Sequence, residues 1–218
     1  MLLYYLTDRN AFAGSEGEKC AALLRRIAEA ARAGVDYIQL REKDLDPADL
    51  ELLAHEAVRL VRKNSEVTRV LINSQVEVAL AVGADGVHLT AKSPPISEVR
   101  KSWLERTSAP PIIGCSAHGV AEVRLAETHG ASFAVLAPIF EKVATGARGI
   151  GVEALQAACT ASGMPVLALG GVRLGNARSC LEAGAAGIAG IRLFQEQSVG
   201  QTVEALHWLD QRILRFRG

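Results

Sequence analysis

The stretch that decides the fold is AGVDYIQL, which occupies residues 33–40. Three related stretches follow it, VGADGVHL at 82–89, HGASFAVL at 129–136 and AGAAGIAG at 183–190. In each copy a glycine ends an alanine-rich amphipathic segment, as glycine does at the carboxyl end of many helices. A short apolar run comes next, which is typical of a strand buried on both faces. The repeat therefore predicts four helices that each lead into a buried strand.

The spacing of the repeat indicates that further units lie between the copies. Its glycines, Gly34, Gly83, Gly130 and Gly184, are 49, 47 and 54 residues apart, which suits two strand–helix units rather than one. Other apolar runs predict strands at 2–6, 69–72, 111–115 and 165–169. Helices are predicted at 18–33, 47–62, 75–82, 96–105, 120–128, 152–161, 175–182 and 202–215.

Eight strands that alternate with eight helices predict an α/β fold, a (β/α)8 TIM barrel that occupies residues 1–218 as a single domain. A doubly wound open sheet is the competing architecture. The regular repeat and the absence of a G-x-G-x-x-G motif after the first strand both count against the open sheet. In a barrel, functional residues are expected at the carboxyl ends of the strands.

The composition restricts the classes of partner. Lys plus Arg and Asp plus Glu both number 24, so the formal net charge is zero, which argues against a basic surface for nucleic acid. No apolar run approaches the ~20 residues of a membrane span, so no membrane association is expected. The four cysteines lack C-x-x-C spacing and predict reduced thiols in a cytoplasmic protein. Because the net charge is zero, any anion site must be formed by a local group of residues rather than by an overall basic surface.

One candidate anion site follows the second predicted strand. Gln39, Arg41 and Lys43 occupy alternate positions, so an extended chain places them on one side. Arg offers a planar set of donors and Lys a compact charge, and together they suit phosphate or pyrophosphate. Ordinary solvated charges at a strand end are the alternative interpretation.

A second candidate site follows the seventh and eighth strands. Gly170-Gly171 lies between a strand and a helix, where backbone N–H groups can approach an anion closely. Ile191-Arg192 follows the eighth strand and could add a cation. Barrels commonly hold phosphate at these two loops. A glycine pair needed only for a tight turn is the alternative. Two anion sites predict phosphorylated small-molecule substrates.

The motifs, taken in order, resemble those of the thiamine-phosphate synthase family and of the closely related thiazole tautomerases. The resemblance rests on QLREK at 39–43, LIN at 71–73, GADGVHL at 83–89, GCSAH at 114–118, APIF at 137–140 and LGGV at 169–172. It extends over about residues 3–194, which is nearly the whole chain.

The resemblance implies that the protein joins hydroxymethylpyrimidine diphosphate to thiazole phosphate and releases pyrophosphate. The leaving group departs first, and the thiazole nitrogen captures the resulting pyrimidine-methyl cation. Stabilising charge on the leaving group matters more here than a general base. By the resemblance, the residues that hold the pyrophosphate are Arg41, Lys43 and Asn73. By the same resemblance, Gln39 would face the pyrimidine, and Ser116 would contact the reacting groups. Gly170-Gly171 and Ile191-Arg192 would hold the thiazole phosphate.

The chain departs from the family pattern at the metal-binding positions. The family has an aspartate at each of two positions that are Ser74 and Ser93 here. Those aspartates hold magnesium, a cation that prefers charged oxygen ligands. The resemblance therefore implies magnesium as cofactor, and the two serines weaken that expectation. The family's Thr-x-Thr-Lys segment after the sixth strand is also missing, and partial substitutes would be Glu141, Lys142 and Arg148.

Two alternative functions fit the same residues. A thiazole tautomerase needs no magnesium, and its base would be a histidine such as His118, because imidazole exchanges protons near neutral pH. A hydrogen-bonded loop histidine is the structural alternative for His118. A barrel that binds a phosphorylated ligand without turnover is the third hypothesis. The resemblance also implies a homodimer.

Overall fold

The computed structural model describes residues 1–141, 146 and 148–217, with side chains as far as residue 213. The strands are β1 (Leu2–Leu6), β2 (Tyr37–Leu40), β3 (Arg69–Asn73), β4 (Gly86–Leu89), β5 (Ile112–Ala117), β6 (Phe133–Leu136), β7 (Val166–Ala168) and β8 (Gly187–Gly190). The helices are α1 (Glu16–Arg32), α2 (Pro47–Asn64), α3 (Val76–Ala81), α4 (Ile96–Leu104), α5 (Val120–Thr128), α6 (Val152–Thr160), α7 (Leu174–Glu182), α8 (Arg192–Gln195) and α9 (Val199–Arg217).

The eight strands form a closed barrel in which neighbours follow the order of the chain. All pairs are parallel, and β1 pairs with both β2 and β8, which closes the sheet. The predicted (β/α)8 TIM barrel is therefore confirmed, and the open-sheet alternative is wrong. No helix in the described part of the chain combines the length and apolar character that crossing a membrane requires.

The repeat of the sequence has a structural reason at its glycines. Gly34, Gly83, Gly130 and Gly184 follow the ends of α1, α3, α5 and α7, with φ angles of +86°, +63°, +83° and +99°. Glycine adopts this left-handed region without the steric cost that a Cβ atom adds. Each copy therefore ends a helix and redirects the chain into the next strand.

Polar side chains of the same repeat join neighbouring strands at their amino ends. Asp36 precedes β2 and accepts a hydrogen bond from a backbone N–H of β1 at 2.8 Å. Asp85 does the same for β3 at 2.8 Å, and Ser132 for β5 at 3.0 Å. These side chains satisfy backbone donors that would otherwise be left at the end of the ladder.

Aromatic rings occupy the barrel interior. Tyr37 and Phe133 stack with ring centroids 5.1 Å apart, and Tyr4 meets Phe133 edge-on at 5.2 Å. The apolar residues buried in the same interior cluster are Leu6, Leu71, Val135, Leu167 and Ala189. Barrel interiors of this size are packed with side chains rather than open. The rings therefore form a solid floor beneath the carboxyl rim, and we call them the interior ring cluster (Tyr4, Tyr37 and Phe133).

The structure differs from the sequence prediction at a few boundaries. The second strand, predicted within the stretch 33–40, spans Tyr37–Leu40. The short helix α8 and a 3₁₀ helix at Arg9–Ala11 were not predicted. The fifth strand extends to Ala117, which places Ser116 within β5 rather than after it. The last difference matters for the site, because strand pairing fixes the position of Ser116.

Candidate active site

The carboxyl ends of all eight parallel strands meet at one rim of the barrel. The site residues predicted from the sequence lie within or just after these strand ends: Gln39, Arg41, Lys43, Asn73, Ser74, Ser116, His118, Gly170, Gly171, Ile191 and Arg192. In the closed sheet, only β8 and β1 lie between β7 and β2. The two predicted anion sites therefore lie at the same end of the molecule.

The first anion site is built around the end of β2. Arg41 and Lys43 lie in the turn after the strand, where Arg41 is half-buried and Lys43 is exposed. Gln39 is buried inside the barrel, and its Nε2 donates to Asn73 Oδ1 at 3.3 Å. Gln39 Oε1 is buried without a partner among the described residues, so it can accept a hydrogen bond from a bound molecule.

The turn that carries Arg41 is held by Glu42, a residue that the sequence did not single out. Glu42 is buried and accepts from Thr7 Oγ1 at 2.5 Å and from the backbone N–H of Arg9 at 2.9 Å. Thr7 Oγ1 in turn accepts from the backbone N–H of Arg41 at 2.9 Å. The Arg9 guanidinium lies 3.3 Å from Glu42 and pairs with both oxygens of Asp44. These contacts fix the backbone at Arg41 relative to β1.

The alternation of the sequence contained a signal for Glu42. An extended chain places Glu42 on the same side as buried Leu40, and a carboxylate on an apolar face needs a cation or several donors. Its partner Arg9 lies 33 residues away and could not be identified from the sequence.

The two serines at the positions where the resemblance implies metal-binding aspartates lie close together. Ser93 Oγ and Ser74 Oγ are 3.2 Å apart, and Ser93 Oγ also accepts from the backbone N–H of Thr90 at 2.9 Å. Ser74 has φ of +60°, a conformation that residues other than glycine, Asn and Asp seldom adopt. Two hydroxyl groups therefore lie close together where the resemblance implies carboxylates.

This pair of serines does not fit a magnesium ion. Magnesium is usually held through carboxylates, and a hydroxyl pair supplies no negative charge. Among the residues that the structure describes, no cluster of His, Cys, Asp and Glu could hold a metal ion. Asp85, a carboxylate that follows Gly83 in the same motif, lies at the opposite end of β4 and accepts from the backbone of β3. The chain's own residues therefore offer an uncharged surface at this position.

A buried chain of hydrogen bonds ends at Ser116. Ser116 Oγ lies 2.9 Å from His88 Nε2, and Tyr4 Oη lies 3.1 Å from His88 Nδ1. Tyr4 and His88 are buried inside the barrel, whereas Ser116 is half-exposed at the rim. Burial, with a smaller effect of the Arg41 cation, lowers the pKa of His88 to about 3. His88 is therefore neutral at pH 7 and connects the floor of the barrel to the site.

His118 lies outside this chain of hydrogen bonds. It is exposed between β5 and α5, its Nδ1 lies 2.7 Å from the carbonyl oxygen of Ala137, and its backbone N–H donates to Glu122 at 2.9 Å. A carbonyl oxygen only accepts, so Nδ1 carries the proton and a neutral His118 has its lone pair on Nε2. His118 is thus a hydrogen-bonded loop residue with one nitrogen available as an acceptor.

The second anion site is a tight corner after β7. Gly170 and Gly171 have φ of +95° and +67°, and a Cβ on Gly171 would come within 2.8 Å of Phe140 Cβ and of the Glu141 carbonyl oxygen. The carbonyl of Gly171 accepts from Asn176 Nδ2 at 3.0 Å, whereas its N–H has no acceptor among the described residues. Glycine is needed here for both conformation and space, and a backbone donor remains for an anion.

The remaining predicted groups around this corner are more exposed. Arg192 begins α8, and its Nε lies 3.6 Å from Glu196 in an exposed ion pair. Ile191 is half-buried and packs against the apolar residues of the barrel interior. Glu141 and Arg148 are exposed, and Lys142 lies outside the described residues.

Comparisons with known proteins identify relatives from one family. The chain matches the thiamine monophosphate synthase family over residues 3–194. A thiamine-phosphate synthase of Methanoculleus marisnigri is 36% identical over 194 residues, which cover 86% of this chain and 84% of the relative. A thiamine-phosphate synthase of Clostridium acetobutylicum is 32% identical over 190 residues, with coverage of 86% and 83%.

A solved structure agrees with these sequence matches. Thiamine phosphate pyrophosphorylase from Pyrococcus furiosus superimposes with a TM-score of 0.80 and 29% sequence identity, and the match covers 98% of this chain and 96% of that one. The resemblance inferred from the motifs at 39–43, 71–73 and 169–172 is confirmed by both comparisons. The chain belongs to the thiamine monophosphate synthase family.

Proposed function

We propose that the protein is a transferase that condenses hydroxymethylpyrimidine diphosphate with thiazole phosphate to give thiamine phosphate and pyrophosphate. The observation that carries this proposal is that the residues of both candidate anion sites lie on one barrel rim. Arg41, Lys43 and Asn73 would form the first, and Gly170-Gly171 with Arg192 would form the second. Two phosphorylated substrates with their reactive ends facing each other fit this arrangement.

The bonds that break and form in this reaction belong to the substrates, so the protein takes little part in the covalent chemistry. The C–O bond to the pyrophosphate breaks, and the electron pair leaves with that oxygen. The lone pair of the thiazole nitrogen then forms the new C–N bond with the pyrimidine-methyl cation. Arg41 and Lys43 would stabilise the charge that develops on the leaving group. Gln39 Oε1, a buried acceptor without a described partner, would bind a donor on the pyrimidine.

The thiazole phosphate would bind at the glycine corner. The N–H of Gly171 has no acceptor among the described residues, and Phe140 of the loop after β6 packs against this glycine. Arg192 would reach the phosphate by exchanging its exposed contact with Glu196, and exposed ion pairs of that kind contribute little stability. Ser116 lies on β5. In the order of strands around the barrel, β5 lies between β2, which leads to the first candidate site, and β7, which leads to the second.

Purified protein incubated with both precursors tests this proposal, with thiamine phosphate measured by chromatography. We expect product, and we expect Arg41→Gln to lower kcat/KM by about a hundredfold, because one charge-stabilising group is lost. Arg178→Gln is the matched control, since Arg178 is an exposed residue of α7 that pairs with Glu182. Absence of product with and without magnesium would rule out the proposal.

A thiazole tautomerase is a second candidate because of His118. Its Nδ1 is held by the Ala137 carbonyl, which leaves Nε2 as an acceptor for a proton. Interconversion of thiazole carboxylate phosphate tautomers without the pyrimidine substrate, lost in His118→Gln, would support this function. Tight binding of pyrophosphate with neither turnover would instead support a barrel that only binds phosphorylated ligands.

A further inference from the structure

The buried residues Tyr4 and His88 have no role in the proposed reaction, although they contact Ser116 through one continuous chain. Tyr4 Oη and Ser116 Oγ flank the two nitrogens of the His88 ring at 3.1 and 2.9 Å. A neutral imidazole has one N–H donor and one acceptor nitrogen. Two arrangements are therefore available, and they give Ser116 opposite roles. In one it accepts from His88, and in the other it donates to His88.

The phenol of Tyr4 decides between these arrangements. Tyr4 is completely buried, and His88 Nδ1 is the one hydrogen-bond partner of its hydroxyl among the described residues. If Nδ1 carried the proton, the hydroxyl proton of Tyr4 would have no acceptor. A buried donor left without an acceptor costs about 1–3 kcal/mol. The arrangement in which Tyr4 donates to Nδ1 avoids that cost.

Protonation equilibria agree with this assignment. Burial raises the pKa of Tyr4 well above its usual value, so the phenol keeps its proton. The low pKa of His88, about 3, keeps the ring neutral over the physiological range. A doubly protonated ring would have to donate from both nitrogens, which leaves the Tyr4 proton without an acceptor again.

We propose that His88 is a positioning residue: Tyr4 donates to Nδ1, Nε2–H donates to Ser116 Oγ, and the Ser116 proton is thereby directed to an anion at the rim. Ser116 is half-exposed, and no other residue among those described contacts its hydroxyl. The identity of that anion rests on the proposed function, and we take it to be an oxygen of the pyrimidine diphosphate. The direction of the hydrogen bonds does not rest on it.

Nitrogen NMR of protein labelled with [15N]histidine tests the direction directly. The chain has five histidines, and the signals missing from a His88→Gln variant identify His88. We expect a protonated Nε2 and an unprotonated Nδ1 for His88 at pH 7, with no change as the pH is lowered to about 5. A protonated Nδ1 in the wild-type protein would overturn the proposal, whether or not the protein has synthase activity.

A double-mutant cycle on kcat/KM tests the effect on Ser116. Tyr4→Phe and Ser116→Ala are each expected to lower kcat/KM about five- to tenfold, as loss of a hydrogen bond does. The double variant should resemble Ser116→Ala, because Tyr4 acts through His88 on that hydroxyl. Losses that multiply would contradict the coupling. Thiamine phosphate formation together with multiplying losses would reject this inference and leave the proposed function intact.

Tyr5→Phe provides the matched control for these measurements. Tyr5 is equally buried in β1, but its hydroxyl has no partner among the described residues. The variant should leave the His88 signals and kcat/KM unchanged. Changes as large as those of Tyr4→Phe would show that loss of a buried hydroxyl in β1, rather than the chain to Ser116, is responsible, and would overturn the proposal.

Discussion

Tyr4 and Tyr5 are adjacent, fully buried residues of β1 whose side chains lie in different surroundings. The Tyr4 ring points into the barrel and its hydroxyl meets His88. The Tyr5 ring points to the layer between strands and helices, where it packs near Phe194 with ring centroids 5.8 Å apart. Its hydroxyl is buried without a described partner. Alternation along one strand thus separates a hydroxyl that serves the site from one that only costs stability.

Removal of these two hydroxyls should change stability in opposite directions. We expect Tyr5→Phe to raise the free energy of unfolding by about 1 kcal/mol, because an unsatisfied buried donor disappears. Tyr4→Phe should lower it by about 1 kcal/mol, since a made hydrogen bond is lost. Urea unfolding followed by circular dichroism measures both. Equal effects of the two variants would contradict the assigned surroundings.

The serines of the rim give a second prediction at this scale. Ser74 and Ser93 supply hydroxyl groups where the resemblance expects carboxylates, so magnesium should not raise the affinity of the wild-type protein for inorganic pyrophosphate. In the double variant Ser74→Asp, Ser93→Asp, magnesium should raise it about tenfold, because charged oxygen ligands return. Asp is tolerated at the left-handed conformation of Ser74.

Titration calorimetry with magnesium chloride or EDTA compares the two proteins. Ser65→Asp, Ser102→Asp is a control, because these serines lie outside the strand ends that form the rim. A magnesium requirement in the wild-type protein would contradict the prediction and would locate a metal site elsewhere.

At the scale of elements, close approach between strands accounts for glycines that the repeat alone did not explain. A Cβ on Gly86 of β4 would lie 1.9 Å from the carbonyl oxygen of Ile112 in β5. On Gly187 of β8 it would lie 2.1 Å from the carbonyl oxygen of Leu2. The contacting atoms belong to the backbone, so a rotamer change cannot relieve the overlap. These glycines permit the strand spacing that closes the barrel.

Alanine substitutions should therefore have effects that depend on the element. Gly86→Ala is expected to lower the free energy of unfolding by about 3 kcal/mol or to prevent folding, because neighbouring strands must separate. Gly175→Ala in α7 has no atom within 4 Å of the new Cβ and should stabilise by about 0.5–1 kcal/mol. Thermal unfolding of both variants checks this contrast. A mild effect of Gly86→Ala would contradict the close approach.

The order of the elements could be predicted because the periodicity that marks them is local. Very short elements and contacts between distant residues could not be predicted. The strand Leu2–Leu6 and the helix Val120–Thr128 have the predicted bounds, since apolar patterns and turn residues mark their ends. Helix α8 has four residues and too few positions for a periodic signal. The repeat places His88 in a predicted buried strand, but its contact with Ser116 joins positions 28 residues apart and required the pairing of β4 with β5.

At the scale of the whole molecule, barrel closure converts positions far apart in the chain into one rim. Arg41 and Gly170 are separated by more than a hundred residues, yet both follow parallel strands whose ends meet. The sequence predicted this through the repeat, because its spacing implies eight strand–helix units, the number that forms a closed (β/α)8 barrel. Side-chain directions at the rim depend on contacts between loops, such as that of Glu42 with Arg9, which no local pattern specifies.

A shared rim predicts a specific pattern of inhibition. Inorganic pyrophosphate should compete with hydroxymethylpyrimidine diphosphate, because both would contact Arg41 and Lys43. It should not compete with thiazole phosphate, which would bind at Gly170-Gly171. Initial rates measured at several concentrations of each substrate distinguish these cases. Competition with thiazole phosphate alone would exchange the two assigned sites.

The interior ring cluster determines from which end of the barrel small molecules can reach the candidate site. Because Tyr4, Tyr37 and Phe133 obstruct the lumen, no small molecule can pass from one end of the barrel to the other. In the proposed reaction, both substrates would therefore enter, and both products would leave, through the open carboxyl rim.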